Sequence, residues 1–367
     1  MQIDFHHTVT YVLARLAGFS HEEADIISYS SQYVDDAVNS GTIRFKNKAM
    51  YKRISSAHEM LDYRNFDEQS NHSVWIPFHF LPGNEGMPPG DNPDSGFVHK
   101  IVCTPNSHVA KDVIRICIRD HDRPYALHRL GIALHTYMDT WAHQNFAGIN
   151  HESNSVKDIR IPEEHQHSDT IDEIRDFFRR LRTKIGNYFS NETLPLGHGP
   201  ALMYPDLPYL EKWSYTSGKG DPVVRHNLDD FTEAAKAAFR ALINFRNKDQ
   251  TLSSTDDIPA QDLAKIVENL RNFTRENSKE RHKKWKNSIA RGDFSFGPAN
   301  VDYIHKGKNS WKYLALGTEE EFETGKEKYE FKPEFMQSNW KLFHDALQTH
   351  HLEVLRDILP RYGISAA

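Results

Sequence analysis

The segment His135-Thr-Tyr-Met-Asp139-Thr-Trp-Ala-His143 places an imidazole, a carboxylate and a second imidazole four residues apart. Since an α-helix makes one turn every 3.6 residues, these side chains lie along one stripe of a helix, and His128 lies on the same stripe. The positions around the stripe are mostly apolar, which indicates a buried helix. Buried imidazoles and carboxylates need partners, and a cation satisfies several of them together. The segment therefore predicts metal ligands.

Composition is that of an ordinary globular protein with one exception. The chain has 367 residues, of which 38% are hydrophobic, enough for one large core or two smaller ones. Its net charge of −6 gives no overall cationic field, which argues against nonspecific adhesion to nucleic acid or anionic membranes as a global property. Histidine is the exception, because its 22 residues outnumber both Phe and Gly. This abundance indicates metal or proton chemistry.

The cysteines and the hydropathy pattern narrow the class of protein further. Cys103 and Cys117 are too few and too far apart for a thiolate zinc site or a disulfide framework, so nitrogen and oxygen ligands are expected. The amino-terminal residues lack the basic and apolar regions of a signal peptide, and no segment has the ~18 uninterrupted apolar residues needed to span a bilayer. We expect a cytoplasmic protein, with signal-less secretion as the alternative.

Hydrophobic periodicity predicts a mainly α-helical chain with long loops. A first helix is expected at about 7–17, and Ser20 to Glu23 form a capping box for a second helix that leads to Asp35 and Asp36. Residues 40–105 are expected to be rich in loops. The later helices are expected after the cap Ser107, at His128–His143, at 169–189, as two helices between about 227 and 290, and at 333–359.

These elements suggest two regions. Residues 1–215 are predicted to form a metal-binding helical domain. Residues 216–367 are predicted to form a helical extension packed on the first region, with a short irregular or strand segment near 292–332. The extension carries no recognisable catalytic motif. Its basic run at Lys279–Lys286 is typical of a solvated helix face, with contact to phosphate or lipid headgroups as the alternative.

Further candidate ligands lie outside the central segment. His6, with His7 beside it, is at the start of the first helix. Asp35 and Asp36 fall near the end of their helix, where the helix dipole disfavours negative charge, so this acidic pair indicates a compensating cation. Solvent or the nearby Arg44 is the structural alternative.

Two loop segments add further imidazoles. His79 is flanked by Phe78 and Phe80, so its ring nitrogens need a partner, which a backbone carbonyl or a metal would provide. His198 lies in a Gly- and Pro-rich loop and is followed by Asp206. Each segment alone is a weak signal, but both supply nitrogen or oxygen ligands.

The order of these residues resembles the zinc-dependent phospholipase C family, whose superfamily includes single-strand-specific nucleases of the same fold. The shared pattern is a first-helix His, an early Asp, a His-Phe loop, His-x-x-x-Asp with a further His, and Gly-His. The resemblance covers roughly residues 1–210, and the segment around His198 and Asp206 is closer to an uncharacterised bacterial branch of the fold. It implies a mainly helical domain with three zinc ions, two of them bridged by the Asp of His-x-x-x-Asp.

The resemblance also implies a role for each matching residue. His135 and Asp139 would be the central pair, with Asp139 as the bridge. His79 would be the loop histidine, Asp35 or Asp36 the early aspartate, and His6, which directly follows Phe5, the first-helix histidine. The remaining two histidines, His143 and His198, would hold the third, more separate zinc.

The sequence departs from the family pattern at three places. The secreted phospholipases bind metal through the amine and carbonyl of a mature N-terminal Trp, whereas this sequence starts with Met1. The interval between Asp139 and His143 is shorter than in the family. A Glu expected four residues after Gly-His is replaced by Leu202, so Asp206 or Glu163–Glu164 would substitute, or the site holds two metals only.

These residues predict a metal-dependent hydrolase of phosphate esters, with lipid degradation as its expected setting. Two or three zinc ions fit a donor set of mostly imidazole with some carboxylate, with manganese or iron as alternatives. These ions would bind the phosphate ester and activate a water molecule. Asp35 or Asp36, if unligated, would act as general base. The substrate class favoured is a phospholipid headgroup over single-stranded nucleic acid. Asp4, Gln32 and Asn145 are candidates for orienting the imidazoles.

Three other classes of function stay open. A nuclease of the same fold would need stacking surfaces, and the candidate aromatics are Trp75, Phe78, Phe80, Tyr204, Tyr209 and Trp213. A phosphohydrolase of the His-Asp type would use His121-Asp122 or His344-Asp345. A non-catalytic, metal-stabilised interaction protein would have closed four-ligand sites.

Overall fold

The computed structural model of the chain describes residues 1–57, 68–163, 197–274 and 277–365. Within these ranges the protein is mainly α-helical, as the sequence predicts, and has two small sheets. The charged helix predicted at 169–189 lies outside the described residues. None of the described helices is long and apolar enough to cross a membrane.

The helices of the amino-terminal half include several whose ends the sequence predicts. Their bounds are α1 Thr10–Leu16, α2 His21–Asp36, α3 Glu68–Phe78, α4 Phe97–Ile101, α5 His108–Arg119 and α6 Ala126–Ala142. The first helix begins earlier than predicted, because a π-helical turn at Asp4–Val9 precedes α1. The capping box of Ser20 and Glu23 and the cap of α5 by Ser107 are both confirmed.

The helices of the carboxy-terminal half differ from the prediction in number and position. Their bounds are α7 Asn227–Arg246, α8 Ala260–Asn272, α9 Ser278–Arg291, α10 Trp311–Leu316 and α11 Asn339–Glu353. The prediction of two helices between about 227 and 290 was wrong, because Asn277 caps a third one, α9. The final helix begins at Asn339, since Pro333–Gln337 forms a separate 3₁₀ turn.

Two three-stranded sheets flank the helices. Their strands are β1 Gly41–Phe45, β2 Met50–Arg53, β3 Val156–Arg160, β4 Trp213–Ser217, β5 Pro222–Arg225 and β6 Lys328–Tyr329. In the first sheet β1 pairs antiparallel with β2 and parallel with β6. In the second sheet β4 lies antiparallel between β3 and β5. The strand β6 thereby joins the segment near 292–332, predicted to be irregular or strand, to the amino-terminal half.

Helix α6 lies at the centre of the helical packing. It contacts α2, α5, α7 and α11, and every residue of the helix except Leu127 is buried. A helix surrounded by other helices needs apolar side chains on most of its faces, which agrees with its sequence. The stripe that carries His135 and Asp139 therefore faces the protein interior.

Gly131 allows α2 to lie very close to α6. A Cβ atom at this position would lie 2.3 Å from the carbonyl oxygen of Ile27 and 2.6 Å from the Cβ atom of Ser30, so no larger residue fits without moving a backbone. This close approach brings the carboxy-terminal end of α2, with Asp35, beside His135 one helical turn further along α6.

The largest hydrophobic cluster contains residues from both predicted regions. It joins Phe5 and Met138 to Phe231, Trp285 and Ile358. The division of the chain near residue 215 stays a prediction. Both parts nevertheless contribute side chains to one buried core, which α6 crosses.

Several histidines are buried in the core without joining the candidate ligands. Burial lowers the pKa of His128 to about 4 and lowers the pKa of His344 and His350 well below the ordinary value. The Nε2 atom of His128 lies 3.1 Å from the side-chain oxygen of Asn339. His128 therefore shares the ligand stripe of α6 but is a core histidine.

We expect the protein to lose stability as the pH falls below about 6.5. Unfolded histidines take up protons there, whereas these buried ones do not, so the unfolded state binds more protons. Each such histidine lowers the free energy of unfolding by about 1.4 kcal/mol per pH unit, down to its folded pKa. Denaturant titrations in EDTA give the free energy of unfolding at each pH between about 6.5 and 5. For His128→Asn, the change of this free energy per pH unit should be smaller by this amount. The exposed His226→Asn is the control, and an unchanged slope for His128→Asn would contradict the explanation.

Candidate metal centre

The fold brings eight of the nine predicted ligands into one cluster. His6 lies in the π-helical turn, Asp35 near the end of α2, and His135 and Asp139 on α6. His79 lies in the turn that directly follows α3, outside the helix as the sequence predicts. The donor atoms form three groups, and the atoms within each group all lie within 4.8 Å of one another. They are His6, Asp35 and His135; His79, His135 and Asp139; and His143, His198 and Asp206.

The two oxygens of the Asp139 carboxylate face different partners. Its Oδ1 atom lies 2.8 Å from the amino group of Met1 and 3.1 Å from Nε2 of His6. Its Oδ2 atom lies 3.2 Å from Nε2 of His135 and 3.4 Å from Nδ1 of His79. This Oδ2 atom is buried and receives no hydrogen bond from a described residue. The carboxylate is thus placed between two sets of donor atoms, as a bridging ligand would be.

Backbone carbonyls fix the orientation of His135 and His79. Nδ1 of His135 donates to the carbonyl of Ser31 at 2.8 Å, and Nε2 of His79 donates to the carbonyl of Ser56 at 2.9 Å. The opposite nitrogens of the two rings face each other at 3.1 Å. In neutral imidazoles both of these nitrogens carry lone pairs. Only a shared proton or a cation reconciles two lone pairs and an anionic oxygen at such distances.

His143, His198 and Asp206 repeat this arrangement beside the first two groups. Nδ1 of His143 donates to the carbonyl of His79 at 2.7 Å, and Nδ1 of His198 donates to the carbonyl of Leu202 at 2.7 Å. Their Nε2 atoms lie 3.5 Å and 3.4 Å from the two oxygens of Asp206. His143 directly follows α6, so the short interval from Asp139 still allows its side chain to point at this third group.

Burial keeps several of these imidazoles neutral. It lowers the pKa of His6 and of His198 to about 4, and the pKa of His135 well below its ordinary value. Neutral imidazoles are the form that binds metal ions. Burial opposes ionisation of Asp139, but nearby His143, the Met1 amine, His135 and His6 hold its pKa well below the ordinary range. The cluster therefore offers neutral nitrogens and an anionic bridge.

The amino group of Met1 is a participant that the sequence does not indicate. It lies 2.8 Å from Asp139 and 3.1 Å from Asp206, and it is fully buried. Burial acts against its charge, yet Asp139, Asp206 and Asp35 raise its pKa to about 11. The amine thus places a positive charge between the carboxylates of Asp139 and Asp206.

Asp35 and Asp36 are separated by the structure. Oδ1 of Asp35 lies 3.8 Å from His79 and from His135, whereas Oδ2 of Asp36 accepts a hydrogen bond of 2.6 Å from Tyr303. Asp36 lies outside the three donor groups. Gln32 donates to both carboxylates, at 3.3 Å and 3.2 Å. Asp35 is therefore the candidate ligand, and Gln32 holds this carboxylate rather than an imidazole, for which the sequence suggested it.

Most of the groups that orient the imidazoles cannot be predicted from the sequence. They are backbone carbonyls of Ser31, Ser56, His79 and Leu202. Asp4, suggested for this role, instead pairs with Arg281. Of the three acidic residues considered as substitutes at the Leu202 position, Asp206 joins the third group, Glu163 is exposed, and Glu164 lies outside the described residues. Nearness in sequence was a poor guide because these partners come from other elements.

Comparison with known proteins identifies a family. The chain belongs to a family of unknown function, DUF6765, whose model matches residues 1–358. This match covers all eight residues of the candidate metal centre and most of the carboxy-terminal half. No curated protein and no solved structure matches the chain.

We expect metal binding to release a proton from Asp35. Desolvation within the cluster and the adjacent Asp139 carboxylate raise the pKa of Asp35 well above its ordinary value, and a bound cation reverses this shift. At saturating Zn²⁺ in a weakly buffered solution near pH 6, the wild type should release more protons than Asp35→Asn. The matched neighbour Asp36→Asn should behave as the wild type. Equal release by the wild type and Asp35→Asn would show that Asp35 does not meet the cation.

Proposed function

We propose that the protein is a metal-dependent phosphoric ester hydrolase of the phospholipase C-like type. The observation that carries this proposal is the cluster of nitrogen and oxygen atoms, all of them possible metal ligands, that converge on the two oxygens of Asp139. The motif order of the sequence supports the same assignment, as does the mainly helical fold. The proposal includes kinship with the zinc-dependent phospholipase C and nuclease superfamily.

Zinc is the cation that we propose for these groups. Tetrahedral zinc with bonds of 2.0–2.1 Å to nitrogen and oxygen places its ligand atoms about 3.3 Å apart. The distances among Asp139, His135 and His79 are 3.1–3.4 Å. Those from Asp206 to His143 and His198 are 3.4–3.5 Å. The donor atoms are therefore already spaced as zinc ligands, although manganese and iron accept similar donors.

The eight residues of the cluster and the Met1 amine would together hold three ions. His79, His135 and Asp35 would bind the first, together with Oδ2 of Asp139. His6 would bind the second, together with Oδ1 of Asp139 and, once it has lost its proton, the amine of Met1. A third ion would be held by the separate group of His143, His198 and Asp206. When bound, such ions polarise a phosphoryl oxygen and lower the pKa of a water molecule.

The chain's own residues supply positioning and proton transfer. Asp139 is 1% exposed and is held by buried partners, so it acts as a fixed bridge. The side chain of Asp35 is 32% exposed, which places it at the mouth of the cluster, where a substrate can approach. If Asp35 is left unligated, it is better placed than Asp36 to act as general base, because Asp36 lies outside the three donor groups and accepts a hydrogen bond from Tyr303.

The same exposure argues against a purely structural metal site. Closed four-ligand sites are typical of structural zinc, whereas catalytic sites keep a position open to water or substrate. The cluster reaches solvent at Asp35 and at His198, whose side chain is 18% exposed. The His-Asp alternatives gain no support, because neither His121-Asp122 nor His344-Asp345 belongs to a metal-competent group among the described residues.

We favour a phospholipid headgroup over single-stranded nucleic acid as the substrate. A nuclease of this kind needs exposed aromatic faces on which bases stack. Five of the six candidate aromatics are buried, namely Phe78, Phe80, Tyr204, Tyr209 and Trp213. Trp75 alone is partly exposed, and its ring lies 5.2 Å from that of His79.

Substitution of the bridging carboxylate should abolish hydrolysis. With bis-(p-nitrophenyl) phosphate as substrate, we expect Asp139→Asn to lower kcat/KM by at least about 100-fold, because the bridge between two ions loses its charge. Asp35→Asn, at a partly exposed position, should cause a comparable loss. Asp257→Asn, whose side chain is 73% exposed, is the control. Full activity in Asp139→Asn, or an inactive wild type loaded with zinc, would contradict the proposal.

A substrate comparison should separate the lipid from the nucleic-acid reading. We expect hydrolysis of a short-chain phosphatidylcholine and little hydrolysis of poly(dT) by the wild type. Stacking of a base on an aromatic ring contributes about 1–3 kcal/mol. If poly(dT) were instead the better substrate, and Trp75→Ala reduced its hydrolysis by about tenfold, the nuclease would be the correct reading. Initial rates for both substrates with both proteins provide the measurement.

A further inference from the structure

A buried cation in the carboxy-terminal half lies against the amino-terminal segment. Within the basic run at Lys279–Lys286, Lys279 and Lys283 are exposed, but Arg281 of α9 is fully buried. The expectation of a solvated helix face therefore does not hold for Arg281. A guanidinium group removed from water needs ionic and hydrogen-bonding partners.

Arg281 finds these partners in the first four residues of the chain. Its Nε atom donates to Oδ2 of Asp4 at 2.7 Å, and its guanidinium also donates to the side-chain oxygen of Gln2. Asp4 is only 1% exposed, so this ion pair is fully enclosed. The guanidinium carbon also lies 5.7 Å from the centre of the Tyr209 ring. One side chain thus contacts two segments that lead to the metal centre.

The residues held by Arg281 are adjacent to candidate ligands. Gln2 follows Met1, and the carbonyl of Gln2 accepts a hydrogen bond of 2.9 Å from the backbone N–H of His6. Asp4 belongs to the same π-helical turn as His6. Restraining Gln2 and Asp4 therefore fixes both donors that face Oδ1 of Asp139.

A second contact between α9 and the π-helical turn restricts its movement further. Nδ1 of His7 and Nε2 of His282 lie 2.9 Å apart, and one of these atoms donates to the other. His282 directly follows Arg281, and His7 directly follows His6. Because α9 lies about 275 residues further along the chain, this docking is a long-range feature of the fold.

We propose that Arg281 is a positioning residue for the ion on the His6 side of Asp139. Its two hydrogen-bonding partners at the amino terminus, Gln2 and Asp4, are not themselves candidate ligands. It acts by holding Gln2 and Asp4, and through them Met1 and His6, in place before a metal arrives. The inference rests on the proposed metal centre and gives the carboxy-terminal half a defined part in it.

The test compares zinc retention in matched variants of the full chain. Wild type, Arg281→Met and Gln2→Ala are loaded with zinc and dialysed against a chelator, and bound zinc is counted by elemental analysis. Lys283→Met, an exposed position on the same helix, is the control. Circular dichroism and a chelator competition titration report the folding of each variant and the affinity of each ion.

We expect Arg281→Met to lose one ion more readily than the wild type, with an affinity for that ion about 10–100-fold lower, as for other residues that support metal ligands. The remaining ions should be retained. Gln2→Ala should weaken the same ion, and because Gln2 is only partly buried, this variant tests the inference even if Arg281→Met fails to fold. Unchanged zinc affinity in folded Arg281→Met or in Gln2→Ala overturns the inference, as does an equal weakening of every ion. A wild type that binds no zinc overturns the metal centre itself.

Discussion

The structure depends on the convergence of acceptor atoms on a buried carboxylate. Oδ2 of Asp139 and the facing nitrogens of His135 and His79 lie within 3.1–3.4 Å of one another. The other ring nitrogen of each histidine donates its proton to a backbone carbonyl, so protons are scarce where the acceptors meet. Bringing such atoms together in a low-dielectric interior is unfavourable without a positive charge between them. A cation is the simplest group that reverses this cost.

The rest of the fold holds these atoms in place. Gly131 lets α2 approach α6, which sets Ser31 and Asp35 beside His135. Burial of α6 on all sides lowers the pKa of His135 and keeps its ring neutral. Leu202, at the position where the resemblance implies a Glu, has a positive φ of 58°, which is uncommon for a branched side chain. Its carbonyl accepts the hydrogen bond that orients His198.

Sequence reasoning identified the local features of the site better than the nonlocal ones. Helical periodicity was enough to place His135 and Asp139 on one buried stripe, because spacing along a helix determines direction. It could not choose between Asp35 and Asp36, since adjacent residues point about 100° apart and only the packing of α2 decides which one faces α6. The amine of Met1 and the pair of Asp4 with Arg281 depend on contacts across most of the chain. Such contacts leave no periodic signal. The extra helix α9 was missed because its N-cap, Asn277, follows closely after the end of α8 at Asn272.

The most direct measurement of the central claim is the anomalous scattering of a zinc-loaded crystal of the wild-type chain, recorded above and below the zinc absorption edge. The account predicts anomalous peaks on the two sides of Asp139, each within bonding distance of one carboxylate oxygen, and a further peak among His143, His198 and Asp206. It would be contradicted by a zinc-loaded crystal without peaks at Asp139, in which His79 donates a proton to His135 or to the carboxylate in place of a metal.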